Sequence, residues 1–106
     1  MARTLINVPP SAKRGEVIEI RTMIAHPMET GYRPGADGQV LPRNIIRRFS
    51  CRYNGEVVFS AELHPAIAAN PSITFHTVAT ESGTLRFTWE GDNGFSQTES
   101  VTINVG

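Results

Sequence analysis

The stretch IIRRFSCRYNGEVVFSAEL, residues 45–63, carries the pattern that decides the fold. Phe49 and Cys51 alternate with polar residues, as side chains do along a strand with one buried face. Asn54-Gly55 follows, and both of these residues tolerate the positive φ angles of a tight type I′ turn. Apolar residues then alternate again as far as Leu63. The stretch therefore predicts an antiparallel β-hairpin.

Arg47 interrupts the alternation at the start of this hairpin, because it falls on the apolar side of the first strand. A charged side chain at such a position is typical of a strand end, a β-bulge or a contact outside the core. The other arginines of the strand, Arg48 and Arg52, lie on the polar side.

Further short runs of alternating apolar residues occur on both sides of the hairpin, at 3–8, 16–24, 73–79, 85–90 and 95–105. Between them, we expect a polar turn at 11–15 and one short helical turn at 64–71 that crosses between sheets. No segment has a sustained helical period. The pattern predicts an all-β chain, an immunoglobulin-like β-sandwich of about seven antiparallel strands.

The composition sets limits on domain number, partners and location. The 106 residues suit one domain covering 1–106, and ten basic residues balance ten acidic ones. A neutral chain lacks the strong positive field of a nucleic-acid-binding protein. No run is long enough to cross a membrane, and the N-terminus has no apolar segment typical of a secretory signal. Taken alone, the sequence predicts a soluble cytosolic protein.

The connection at residues 25–43 is longer and richer in functional side chains than a sandwich needs. Long ordered loops usually carry function. Its glycines and prolines fix turns, and its other side chains supply binding chemistry. Together with the out-of-register arginine, they predict a partner-binding set that comprises His26, Met28, Arg33, Arg43 and Arg47.

The sequence offers no pattern for catalysis or for a bound cofactor. Carboxylates are dispersed, and no Ser-His-Asp arrangement can be placed. Soft metal ligands occur, but their spacing differs from that of copper and zinc sites; they are His26, Met28, Cys51, His64 and His76. Cys51 lies on the apolar side of its strand, which predicts an inert buried thiol. We therefore expect a protein that is no enzyme and holds no metal or cofactor.

Several motifs along the chain resemble the SoxZ family, the small subunit of the SoxYZ sulfur-carrier complex. They are HPMETGYR at 26–33, the glycine turn that begins at Asp37, Pro42-Arg43-x-Ile45-Ile46, Phe49-x-Cys51-x-x-Asn54-Gly55, Asn70-Pro71, Ser82-Gly83, Phe87-x-Trp89 and Asp92-x-Gly94. The resemblance implies a heterodimer with a SoxY-like chain, which carries thiosulfate-derived sulfur on a cysteine in its C-terminal arm. The present chain would then be the non-catalytic subunit that supports this arm.

The resemblance also gives the predicted site residues possible roles. His26 and Met28 would line the cleft for the partner's arm, and the alternative is that they anchor the loop. The arginines would guide anionic sulfur groups, or they would simply form a solvated face, with Arg33 and Arg43 held in fixed contacts.

The resemblance also implies a location, whereas the competing function rests on the fold class. Family members are exported with their partner, which implies a periplasmic protein without its own signal peptide. The competing hypothesis is a generic immunoglobulin-like module for protein binding or adhesion, which the fold alone would equally allow.

Overall fold

The computed structural model describes residues 2–106 and forms eight β-strands and one short 3₁₀ turn. The strands are β1 (Thr4–Asn7), β2 (Ser11–Ala12), β3 (Val17–Ile24), β4 (Ile46–Tyr53), β5 (Glu56–Glu62), β6 (Ser72–Val78), β7 (Gly83–Gly91) and β8 (Ser96–Val105). The 3₁₀ turn, Asp92–Gly94, joins β7 to β8. Within residues 2–106, no helix is long and apolar enough to cross a membrane.

The strands form two sheets that pack face to face. One sheet has the order β1-β3-β6 and the other the order β2-β8-β7-β4-β5. Neighbouring strands are antiparallel except for the short β2, which pairs parallel with β8. This arrangement confirms the predicted all-β, immunoglobulin-like sandwich.

The predicted hairpin is β4 and β5, with Cys51 opposite Phe59 and Tyr53 opposite Glu56. Asn54 and Gly55 have φ angles of 49° and 87°, as the turn requires. The predicted irregularity is also present, because the register between β4 and β7 shifts at Arg47. This bulge allows Ile46 and Phe49 to be buried on the same side although they are three positions apart.

Aromatic rings fill the space between the sheets. Phe49 is fully buried, and its ring centroid lies 5.3 Å from that of Trp89 and 6.1 Å from that of Phe75. Phe59 of β5 stacks on Phe75 of β6 with centroids 4.4 Å apart. Since β5 and β6 are edge strands of different sheets, this stack closes one side of the sandwich.

Two connections differ from the prediction. The expected polar turn at 11–15 begins with the short strand β2, which pairs with β8. The Asn104 N–H of β8 donates to the Pro10 carbonyl at 3.1 Å and holds the two segments together. The segment 64–71 does cross between the sheets, but it forms no helix. It contains one hydrogen-bonded turn, from the Ile67 N–H to the His64 carbonyl at 3.0 Å. A segment this short between two prolines cannot offset the cost of starting a helix.

Candidate partner-binding site

The connection between β3 and β4, residues 25–45, folds back on itself and is called the 25–45 loop below. Glu29 and Asn44 pair through two backbone hydrogen bonds of 2.8 Å. Further out, Pro34 and Val40 form a second bridge. The loop is therefore a fixed structure, because its two arms hold each other by backbone pairing.

His26 and Met28 lie buried at the base of this loop. The His26 N–H donates to the Asn70 side chain at 2.9 Å, and the Met28 N–H donates to Nδ1 of His26 at 3.0 Å. Sδ of Met28 accepts the Ile46 N–H at 3.2 Å. Met28 has a φ of 50°, a strained value for this residue that its contacts on both sides maintain. Both side chains thus anchor the loop to the sandwich.

Burial lowers the pKa of His26, and the nearby Asp92 carboxylate partly opposes that shift. The imidazole is accordingly neutral at neutral pH, in agreement with Nδ1 acting as an acceptor. Its ring also packs edge-on against Phe95, with centroids 5.1 Å apart.

Asp92 forms the centre of a charged cluster where the returning arm of the loop meets β4. Arg43 donates to both carboxylate oxygens of Asp92, from Nε at 2.8 Å and from Nη2 at 2.9 Å. Arg47, on the bulge, places Nε 3.3 Å from Oδ1. The Ile45 N–H adds a fourth contact at 3.2 Å. We call Arg43, Arg47 and Asp92 the Asp92 cluster.

The pKa of Asp92 is lowered, chiefly by the hydrogen bond from Arg43, while partial burial opposes the shift. The carboxylate is therefore ionised throughout the neutral range. It holds two guanidinium groups that remain accessible, since the side chains of Arg43 and Arg47 are 49% and 60% exposed.

A groove of about 470 Å³ lies beside the cluster, between the start of β4 and the end of β5. Its apolar lining residues are Ile45, Leu63 and Pro65, but Ile45 and Leu63 are buried and expose little surface to the groove. Its polar lining carries both signs of charge and comprises Arg43, Arg47, Arg48, Glu62, His64 and Glu90. A groove lined mainly by charged side chains of both signs suits a polar, extended peptide segment.

The outer part of the 25–45 loop carries the fifth predicted residue, Arg33. Its Nη2 donates to the Glu29 carboxylate at 2.7 Å, so Arg33, like Arg43, forms an ion pair within the chain. Tyr32 beside it is 83% exposed, and Val40 across the loop is 59% exposed. Exposed apolar side chains on a rigid loop are available for contact with another protein.

The structure therefore brings four of the predicted residues to one end of the sandwich and places Arg33 farther along the loop. The arginines are accessible, whereas His26 and Met28 are covered. Contact of these residues with a partner stays a prediction. The role of Asp92 as the centre of this cluster was not predictable from the sequence, because an aspartate in a Gly-Asp-Asn-Gly turn is fully explained by turn formation.

Cys51 is completely buried, and burial raises the pKa of its thiol to about 12. This confirms the predicted burial of the thiol, and its inertness stays a prediction. Among residues 2–106, no group of three His, Cys, Asp or Glu side chains converges as metal ligands would.

Comparison with protein families gives a match over nearly the whole chain. The family described as "Sulphur oxidation protein SoxZ" matches residues 6–102. No curated protein matches the sequence.

Solved structures with a similar fold have low sequence identity. Superoxide reductase (neelaredoxin) from Ignicoccus hospitalis is 18% identical with a TM-score of 0.74, and the match covers 99% of this chain and 82% of the other. The sulfur carrier protein SoxY from Chlorobium limicola f thiosulfatophilum is 13% identical with a TM-score of 0.67, and here the match covers 97% and 78%. At these identities the likeness establishes the fold alone.

Proposed function

Because the chain belongs to the SoxZ family of sulphur oxidation proteins, we propose that it is the non-catalytic subunit of a sulfur-carrier complex. In this role it binds a SoxY-like chain and supports that chain's cysteine-bearing C-terminal arm during oxidation of thiosulfate. The family match over residues 6–102 is the observation that carries the proposal.

The chemistry of the described residues favours a subunit that does not carry the sulfur itself. A sulfur carrier needs an accessible thiolate, because the thiolate is the nucleophile. Cys51, the one cysteine of the sequence, is buried with a pKa of about 12. The reacting sulfur atom is therefore assigned to another chain.

We place the partner contact at the end of the sandwich that carries the 25–45 loop and the Asp92 cluster. Tyr32 offers an exposed aromatic ring, and the groove beside Arg43 and Arg47 offers charged side chains of both signs. Aromatic and arginine side chains dominate the energetics of protein interfaces. The rigid base formed by His26 and Met28 keeps this surface in position and so lowers the entropy cost of binding.

The proposal is tested by co-expressing the chain with the SoxY-like protein of its host and measuring their affinity. We expect a stable heterodimer, and we expect Tyr32→Ala to weaken it by about tenfold or more, as loss of an interface aromatic does. Val17→Ala is the matched control, because Val17 is 63% exposed but lies at the far end of β3 from the loop. Neither substitution removes a buried side chain, so both variants should fold.

The possible outcomes separate the two parts of the proposal. Two proteins that elute separately at micromolar concentration would contradict the carrier-complex role. A heterodimer that loses affinity with Val17→Ala and keeps it with Tyr32→Ala would retain the role and move the interface to the three-stranded sheet.

Location belongs to the same proposal. We expect the protein in the periplasm, exported together with its partner, as the family resemblance implies. Fractionation of cells that contain or lack the SoxY-like gene checks this. Periplasmic recovery in the absence of the partner would contradict joint export.

A further inference from the structure

The outer face of the five-stranded sheet has charged side chains in two separate rows. In the row nearest the groove, Arg48 lies between Glu62 on β5 and Glu90 on β7, so charges of opposite sign face each other. The next row across the same strands carries hydroxyl groups and no charge; it comprises Ser60, Ser50, Thr88 and Thr98.

The following row breaks this balance, because Arg52 on β4 lies directly opposite Arg86 on β7. Directly opposed residues of antiparallel strands have Cβ atoms about 4.5–5.5 Å apart, and like charges in such pairs are destabilising. The outer neighbours in the row are Val57 and Ser100, which are uncharged. Within residues 2–106, no carboxylate oxygen lies within 4.0 Å of a side-chain nitrogen of either arginine.

A shallow pocket of about 270 Å³ lies over this pair. Besides the two arginines, it is lined by Asn54, Gly55, Thr84 and Ser100. Nη1 of Arg52 donates to the Gly55 carbonyl at 3.1 Å, which fixes one guanidinium at the pocket edge. The carboxylate of Glu81 lies near this end of the sheet, where it accepts the Asn54 side-chain amide at 3.2 Å.

We propose that Arg52 and Arg86 form a binding site for a tetrahedral oxyanion of the size of sulfate. Both arginines line the same pocket, guanidinium groups bind oxyanions through paired hydrogen bonds, and the hydroxyls of Thr84 and Ser100 in the lining supply further donors. A bound dianion removes the repulsion between the two arginines. The site lies on the sheet face and is independent of the proposed function and of the partner-binding site.

Titration of the ¹⁵N-labelled protein with sodium sulfate, at ionic strength held constant with sodium chloride, tests the proposal by NMR. We expect saturable shifts confined to the amides around residues 52–55, 84–86 and 100. Arg52→Gln and Arg86→Gln should each weaken sulfate binding about tenfold, since each removes charged hydrogen bonds to the anion. Arg48→Gln, on the same face but between two glutamates, is the matched control and should leave the affinity unchanged.

Thermal unfolding gives a second readout. Sulfate stabilises proteins in general, so the informative quantity is the extra stabilisation of the wild type over Arg86→Gln. The proposal is overturned if the shifts stay linear and equal those in chloride, or if Arg52→Gln and Arg48→Gln bind alike. Saturable binding of a glutamate-rich peptide without any response to sulfate would overturn it too, because the surface would then belong to an acidic protein partner.

Discussion

At the scale of single residues, Asp92 decides the geometry of the candidate site. It lies in the turn between β7 and β8 but receives hydrogen bonds from the loop that precedes β4. Such contacts, 47 or more positions apart in sequence, fix the loop against the sandwich. The neighbouring Gly91 permits the close approach, because a Cβ there would lie 2.5 Å from the Ile45 carbonyl oxygen.

The lowered pKa of Asp92 makes a defined contribution to stability against pH. Its folded-state pKa lies below the unfolded value of about 4. The contribution is thus fully present above that unfolded value and is lost as pH falls through the folded-state pKa. We expect Asp92→Asn to lower the urea midpoint at neutral pH. In acid, the midpoint of this variant should decrease less steeply with falling pH than that of the wild type. Glu19 and Glu29 have lowered pKa values as well, so part of the fall remains in the variant.

Urea unfolding from about pH 6 to about pH 2.5 measures this effect over the range in which carboxylates titrate. Glu62→Gln serves as the control, because Glu62 lines the same groove and takes no part in the Asp92 cluster. If the urea midpoints of the wild type and Asp92→Asn change in parallel with pH, the Asp92 cluster makes no contribution to the pH dependence of stability.

At the scale of elements, the β4–β5 hairpin shows how much of the fold can be predicted from the sequence. Alternation and the Asn54-Gly55 pair predict its strands, turn and buried face, because these depend on neighbours in sequence. Arg47 even marks the bulge. The parallel pairing of β2 with β8 and the ion pair between Arg43 and Asp92 join residues that are far apart in the chain. No local sequence pattern predicts such contacts.

The turn of this hairpin gives an element-scale prediction. Gly55 has a φ of 87°, and a Cβ added there meets nothing within 4 Å. Gly55→Ala should therefore cost about 1–2 kcal/mol of unfolding free energy, all of it from the left-handed backbone conformation. Gly55→Asn is the control and should cost less, since asparagine tolerates this conformation. Chemical denaturation measures both values, and equal losses would assign the cost to something other than backbone conformation.

At the scale of the whole molecule, the protein is elongated. Its extents are 58 × 20 × 20 Å. The longest strand, β8, has ten residues and spans about 33 Å. The long axis therefore exceeds the length of any single strand, and the 25–45 loop is the longest connection between strands. An elongated shape gives a small protein more surface for a partner.

Small-angle X-ray scattering of the isolated chain tests this shape. We expect a radius of gyration near the 16.1 Å of the Cα atoms, well above the roughly 13 Å of a compact chain of this length. Light scattering on the same sample confirms that one chain is measured. A value close to that of a compact chain would mean that the loop folds down onto the sandwich in solution.

The complete burial of Cys51 has a consequence for the life of the molecule in the cell. No cross-link holds the sandwich together, and its single thiol is shielded from oxidants and from other thiols. The native state therefore has the same bonds under reducing and oxidising conditions. Such a protein can mature in one compartment and work in another without help from oxidoreductases.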